Sequence, residues 1–200
     1  CGHGVIATCT IALERGLISL SDASSTLVLE SAAGLVSARA TRRVPHSVAM
    51  SGGATLLSAV DEVAFDNVPS FVFRPGLPIT VDDRMVSVDV AYGGAFYAVV
   101  DSEAVGVPLR REAMPQLRQL GWEIARTVEA AVRVRHPIEA GLHGVYGTVF
   151  TGMAERPDAD LRNVTVFADR QVDRSPCGTG TAAVMAVLDA MGLLTDDQVF

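Results

Sequence analysis

Two stretches of the chain repeat one chemical frame. Cys1-Gly-His-Gly4 opens an apolar run that closes at Gly16-Leu17, and Cys177-Gly-Thr-Gly180 opens another that closes at Gly192-Leu193. Aligned on the cysteines, the runs match at Cys1/Cys177, Gly2/Gly178, Gly4/Gly180, Ala7/Ala183, Gly16/Gly192 and Leu17/Leu193, all at one offset. Self-similarity of this kind constrains the whole architecture. Each frame puts a thiol where a helix starts. There the first backbone N–H groups lack intrahelical partners, and the macrodipole adds about half a positive charge. In general such a setting favours a thiolate over a free thiol, which titrates near ~8.5. The same N–H groups accept a carboxylate, and glycine lets a ligand approach the backbone closely. Two such starts facing one another would cradle the carboxylate of an amino acid and offer a thiol to each face of its Cα. A base on one face and an acid on the other would invert that carbon. The chain contains no lysine, so a Schiff base formed by a lysine of this chain is excluded, and no cofactor is implied.

The other reactive side chains carry weaker local signals. Cys9 lies mid-helix on the apolar side without a glycine frame and reads as core. His3, directly after the first thiol, reads as lining the site or as an ordinary loop histidine. Asp173, four residues before the second thiol, is placed either to cap the following helix or to receive a substrate ammonium.

Elements must hold these groups in place. Helical spacing of Val5, Ile6, Cys9, Ala12 and Leu13 predicts a first helix ending at Gly16. Strands are predicted at 26–30, 34–39 and through 66–71, then at 85–90 and 91–100 with a glycine break. Arg74-Pro-Gly-Leu-Pro78 is dense in breakers and reads as a linker, dividing the chain into domains 1–73 and 74–200. Met114, Leu117, Leu120, Ile124, Val128 and Ala131 form one stripe of a helix over 112–134, closed by His136-Pro137. Strands at 144–150 and 163–168 and a last helix ending near Gly192 complete an α/β (α+β) pattern of two similar halves, each with a helix enclosed by sheet.

The composition agrees with a packed domain: 49% of residues are hydrophobic and 20% charged. A net charge of −7 with no basic run argues against nucleic acid or an anionic membrane surface as partner. No apolar stretch reaches the roughly eighteen residues a membrane helix needs. Three cysteines without framework spacing point to free thiols in a reducing, cytoplasmic compartment. The chain opens on Cys inside a motif and closes on what reads as a strand being entered, so we expect a piece of a longer protein.

Cys1-Gly-His-Gly4 together with Asp173-Arg-Ser-Pro-Cys-Gly-Thr-Gly-Thr181 closely resembles the proline racemase family of cofactor-independent racemases, epimerases and dehydratases. Asn67-Val-Pro-Ser-Phe71, Val88-Asp-Val-Ala-Tyr-Gly-Gly94, Phe150-Thr-Gly152 and Asn163 to Val172 look like further landmarks in the family's order. The resemblance spans the whole chain. It implies a diaminopimelate-epimerase-like fold of two pseudo-symmetric domains with the active site in the cleft between them. Cys1 and Cys177 resemble the paired acid/base thiols. Gly2, His3, Gly178 and Thr179 match residues that hold or surround the substrate carboxylate, and Asp173 matches the acid that receives the ring nitrogen. Phe167 resembles the aromatic that packs on an unsubstituted ring in proline racemases. Cys177 argues against the family's trans-3-hydroxyproline dehydratases, which typically carry threonine there. The implied partner is a small proline-type amino acid, proline or 4-hydroxyproline, with a homodimer as the assembly to test and no metal.

Other classes remain to be separated by experiment. An N-terminal-nucleophile hydrolase would use the α-amine of Cys1 as base but leaves Cys177 unexplained. A binding module would hold a carboxylate without exchanging its Cα proton. A zinc site from Cys1, His3 and Cys177 fits no tight ligand spacing.

Overall fold

The structure is a computed structural model that describes residues 2–18, 24–42, 60–195 and 197–200. They fall into two compact units, Cys1–Val68 and Pro69–Phe200. In the first, helix α1 (Gly2–Glu14) precedes strands β1 (Ser24–Ser31), β2 (Gly34–Arg42) and β3 (Val60–Asp66), which form one antiparallel sheet in that order. Alternation along the strands sends Leu27, Ala38 and Ala40 to one face, where they meet Cys9 and Leu13 of the helix. Cys9 is fully buried, as its place on the apolar side predicts, and burial pushes its thiol up from the ordinary range. The far side of α1 is open, with Ile6 and Ile11 exposed. Among the described residues, sheet covers this helix on one side only.

In the second unit a six-stranded sheet runs β4 (Phe71–Val81), β5 (Arg84–Tyr92), β6 (Phe96–Asp101), β7 (Gly147–Met153), β8 (Leu161–Phe167), β9 (Gln171–Val172). All neighbours are antiparallel except β6 and β7, which are parallel. That parallel step needs a crossover, and a 3-10 turn (Arg111–Ala113) with α2 (Met114–Ala131) supplies it. The predicted stripe buries Leu117, Leu120, Ile124 and Val128, together with Gly121. Strand register divides the sheet's side chains between two faces. Thr148, Phe150 and Val166 meet α2 around Gly121, with the Thr148 hydroxyl donating to the Gly121 carbonyl at 2.7 Å. Ala91, Tyr97, Val99 and Val149 meet Ala183, Val184 and Val187 of α3 (Gly178–Ala190) on the other.

One expectation fails. Residues 74–78 are not a linker but lie inside β4. Being at the sheet edge, β4 tolerates prolines that no neighbour asks for an N–H. The register shifts between Val72 and Leu77, where Gly76 takes φ +57° and donates its N–H to Asp89 Oδ1 at 2.8 Å. A bulged edge strand thus carries the same residue types as a linker.

The Gly-Leu pairs that close both repeats have one physical cause. Gly16 N–H reaches the Leu13 carbonyl at 3.1 Å and Leu17 N–H the Ala12 carbonyl at 2.9 Å. Gly192 N–H reaches Asp189 at 2.8 Å and Leu193 N–H reaches Leu188 at 2.9 Å. Both are Schellman ends, and both glycines sit at positive φ, +68° and +70°.

Candidate active site

The approach to the second thiol is pinned by the sheet. Asp173 follows β9, and its N–H bonds the Thr165 carbonyl of β8 at 3.1 Å. Four residues on, Cys177 is the N-cap of α3, with extended backbone and its carbonyl accepting from Thr181 N–H at 2.7 Å. Its side chain is not used as a cap and turns inward, leaving the residue 8% exposed. Two glycines make room. A Cβ at Gly180 would come within 3.2 Å of the sulfur and of Val149. A Cβ at Gly93 would come within 2.2 Å of the Thr179 carbonyl oxygen, so only glycine lets the β5–β6 turn touch the first turn of α3.

Around the sulfur stands a small polar and aromatic group. Tyr97, 1% exposed on the central strand β6, brings its hydroxyl to 2.7 Å from Thr179 Oγ1 and 3.4 Å from Cys177 Sγ. The direct separation of Cys177 Sγ and Thr179 Oγ1 is 3.8 Å. Burial first, and then the negative charge available to the sulfur, push the Tyr97 phenol well above the ordinary tyrosine range. Tyr146 packs edge-on to Tyr97 at 5.6 Å and stacks on Phe167 at 5.6 Å with 10° between the planes. Its phenol is also raised, by burial and then by the charges of Cys177 and Asp173. Asp173, Cys177 and the Tyr146 hydroxyl therefore share one electrostatic neighbourhood.

Of the residues singled out in the sequence, the second unit gathers Phe167, Asp173, Cys177, Gly178 and Thr179 at the α3 end of one sheet face. Gly2 and His3 begin α1 in the first unit, and Cys1 lies outside the described residues. Sequence reading missed Tyr97 and Tyr146. The signal for Tyr97 was available: a phenol in the middle of Phe96-Tyr-Ala-Val-Val100 must find a partner once buried. Nothing local names that partner, which lies 80 residues away.

The arrangement offers a buried thiol backed by hydroxyls, exposed N–H groups at a helix start for an anion, a nearby carboxylate and an aromatic wall. That set suits proton transfer at a carbon next to a carboxylate.

Comparison with known proteins shows which family the chain belongs to. A family model described as proline racemase matches residues 1–200. A Bacillus cereus protein named trans-3-hydroxy-L-proline dehydratase is 42% identical over 200 residues, covering all of this chain and 56% of the relative. The proline racemase of Acetoanaerobium sticklandii is 31% identical over 202 residues, again covering all of this chain and 56% of the relative. A crystal structure of a hydroxyproline epimerase from Agrobacterium vitis with bound trans-4-hydroxy-L-proline superposes with a TM-score of 0.85 at 32% identity, covering 98% of this chain and 53% of that one. The chain thus spans about half the length of the curated relatives it matches. Its match to the family model from first residue to last, on a fold shared with that epimerase, places the chain in the proline racemase family.

Proposed function

We propose that the whole protein inverts the Cα of proline or 4-hydroxyproline with two thiols and no cofactor. The observation that carries this reading is Cys177 itself: a buried thiol at the start of α3, held beside Tyr97 and Thr179 on the side of the sheet that presents Phe167. In this scheme the Cys1 thiolate takes the Cα proton, and the electron pair left behind spreads into the carboxylate. N–H groups at the helix starts, Gly178 and Thr179 among them, stabilise the charge that develops there. Cys177 S–H then gives its proton to the opposite face, leaving a thiolate. Reverse turnover exchanges the two roles. Asp173 receives the ring ammonium and Phe167 packs on the ring carbons.

A second reading is dehydration of trans-3-hydroxy-L-proline. It is favoured by 42% identity to a relative of that name, against 31% to a named racemase. The first step is the same, removal of the Cα proton. The hydroxyl then leaves Cβ with a proton, from the same side of the ring, so one thiol suffices. Cys177 is what this reading leaves without a task.

Incubating the whole protein with L-proline, trans-4-hydroxy-L-proline and trans-3-hydroxy-L-proline in heavy water separates the two. Inverted product carrying deuterium at Cα is the expected result. A cyclic imine formed from the 3-hydroxy substrate alone would move the assignment to dehydration, and turnover of none of the three would sink both.

A further inference from the structure

We infer that Tyr97 is a positioning residue for Cys177, the middle of a directed chain in which the Thr179 hydroxyl donates to Tyr97 Oη and Tyr97 donates to the Cys177 sulfur. The inference deepens the proposed role of Cys177 as a proton-transfer thiol and rests on it.

The geometry allows few alternatives. Tyr97 pairs with Ala91 of β5 on one side and Gly147 of β7 on the other, so its backbone is fixed within the sheet. Its hydroxyl is closed off from solvent and must be satisfied inside. Its two partners are Thr179 Oγ1 at 2.7 Å and Cys177 Sγ at 3.4 Å. The phenol has one proton to give and cannot serve both. If it donated to Thr179, a sulfur that had lost its proton would be left without a short donor from this trio, since Thr179 Oγ1 lies 3.8 Å from it, the longest separation of the three. If Thr179 donates to the phenol oxygen instead, every short contact is used and the phenol proton points at sulfur.

That direction matters when the thiol gives up its proton. The sulfur becomes an anion in a nearly closed pocket, and a hydrogen bond to an ionised acceptor is roughly twice as strong as a neutral one. The phenol keeps its own proton throughout, because the same burial that closes the pocket opposes its ionisation. Tyr97 therefore holds and poises the sulfur without being an acid or base of the reaction. The other titratable groups felt at this place are Tyr146, from the loop before β7, and Asp173, from the link between β9 and α3. Neither hydrogen-bonds the sulfur, whose partners are Tyr97 and Thr179.

The test is the pH dependence of Cys177 alkylation by iodoacetamide, resolved from the other cysteines by peptide mass, in the whole protein. In Tyr97→Phe the midpoint should rise by about one pH unit, with kcat falling roughly tenfold and KM little changed. Thr179→Val should raise the midpoint by less, and the double variant should rise no further than Tyr97→Phe alone, because one chain is broken in each case. A purely structural tyrosine would lower Tm and leave the midpoint where it was, which would overturn the inference. Should Tyr97→Phe fail to fold, Thr179→Val decides: an upward shift supports the chain, and no shift or a downward one overturns it. Alkylation reads the thiol without turnover. Inactivity toward every proline therefore counts against the proposed function, whereas an unmoved midpoint counts against Tyr97 alone.

Discussion

At the scale of single residues, the question is why a thiol stands at position 177. Serine has nearly the same shape and hydrogen-bonding pattern, but its hydroxyl neither gains nor loses a proton usefully near neutral pH. Cys177→Ser should therefore keep the fold and lose inversion by roughly 10²- to 10⁴-fold, the ordinary worth of a placed acid or base. Optical rotation of L-proline or trans-4-hydroxy-L-proline over time measures it, with Cys1→Ser as the matched variant. Inversion lost in only one of the two would contradict the two-thiol scheme. Asp173, Cys177 and Thr179 were legible in the sequence because they occupy one short string whose residue types already suggest an anion cradle beside a nucleophilic atom. Tyr97 and Tyr146 were not, because their meaning comes from strand register. Tyr97 faces α3 only because β6 alternates, and it reaches Cys177 only because α3 crosses that face.

At the scale of elements, the site depends on how closely α3 approaches the sheet. Gly93 is where that approach is tightest. A Cβ there would lie 2.2 Å from the Thr179 carbonyl oxygen and 2.6 Å from the Ala183 nitrogen, both backbone atoms of the helix. No rotamer change relieves that clash, so the first turn of α3 must move, carrying Cys177 and Thr179 away from Tyr97. Gly93→Ala should cost about 3 kcal/mol in urea unfolding and alter the pH dependence of Cys177 alkylation as well. Gly141→Ala is the control: its added Cβ meets nothing within 4 Å, and its cost should stay within about 0.5 kcal/mol. Equal effects at the two positions would refute the packing argument. The helices themselves were well written in the sequence, since the apolar stripe of α2 and the Gly-Leu ends of α1 and α3 obey local rules. Strand β4 was not. Pro75, Gly76 and Pro78 read as breakers until the topology puts them at a sheet edge, where the ladder has no use for the missing N–H groups.

At the scale of the whole molecule, the two units should fail separately in alkali. The buried titrating groups with resolved shifts, Cys9 in the first and Tyr92 and Tyr97 in the second, are all raised, mainly by burial. A raised value means that the fold keeps a proton the unfolded chain has already lost. Above the ordinary value the unfolded state binds fewer protons than the native one, so stability falls with pH, whereas below it the full contribution is present. For Cys9 the ordinary value is near ~8.5 and for the tyrosines near ~10, so the first unit should begin to weaken about a pH unit or more before the second. Segment-resolved hydrogen exchange or urea midpoints across about pH 7 to 11 would follow both units at once. Cys9→Ala should flatten the alkaline slope of the first unit and leave that of the second, and Tyr97→Phe should do the converse, whatever either does to stability at neutral pH. A single common loss unaffected by either substitution would mean that these buried groups do not govern the alkaline limit. Two separable losses would tie each unit's alkaline limit to a proton its own core retains: a thiol under the first sheet, and a phenol beside the sulfur of the second.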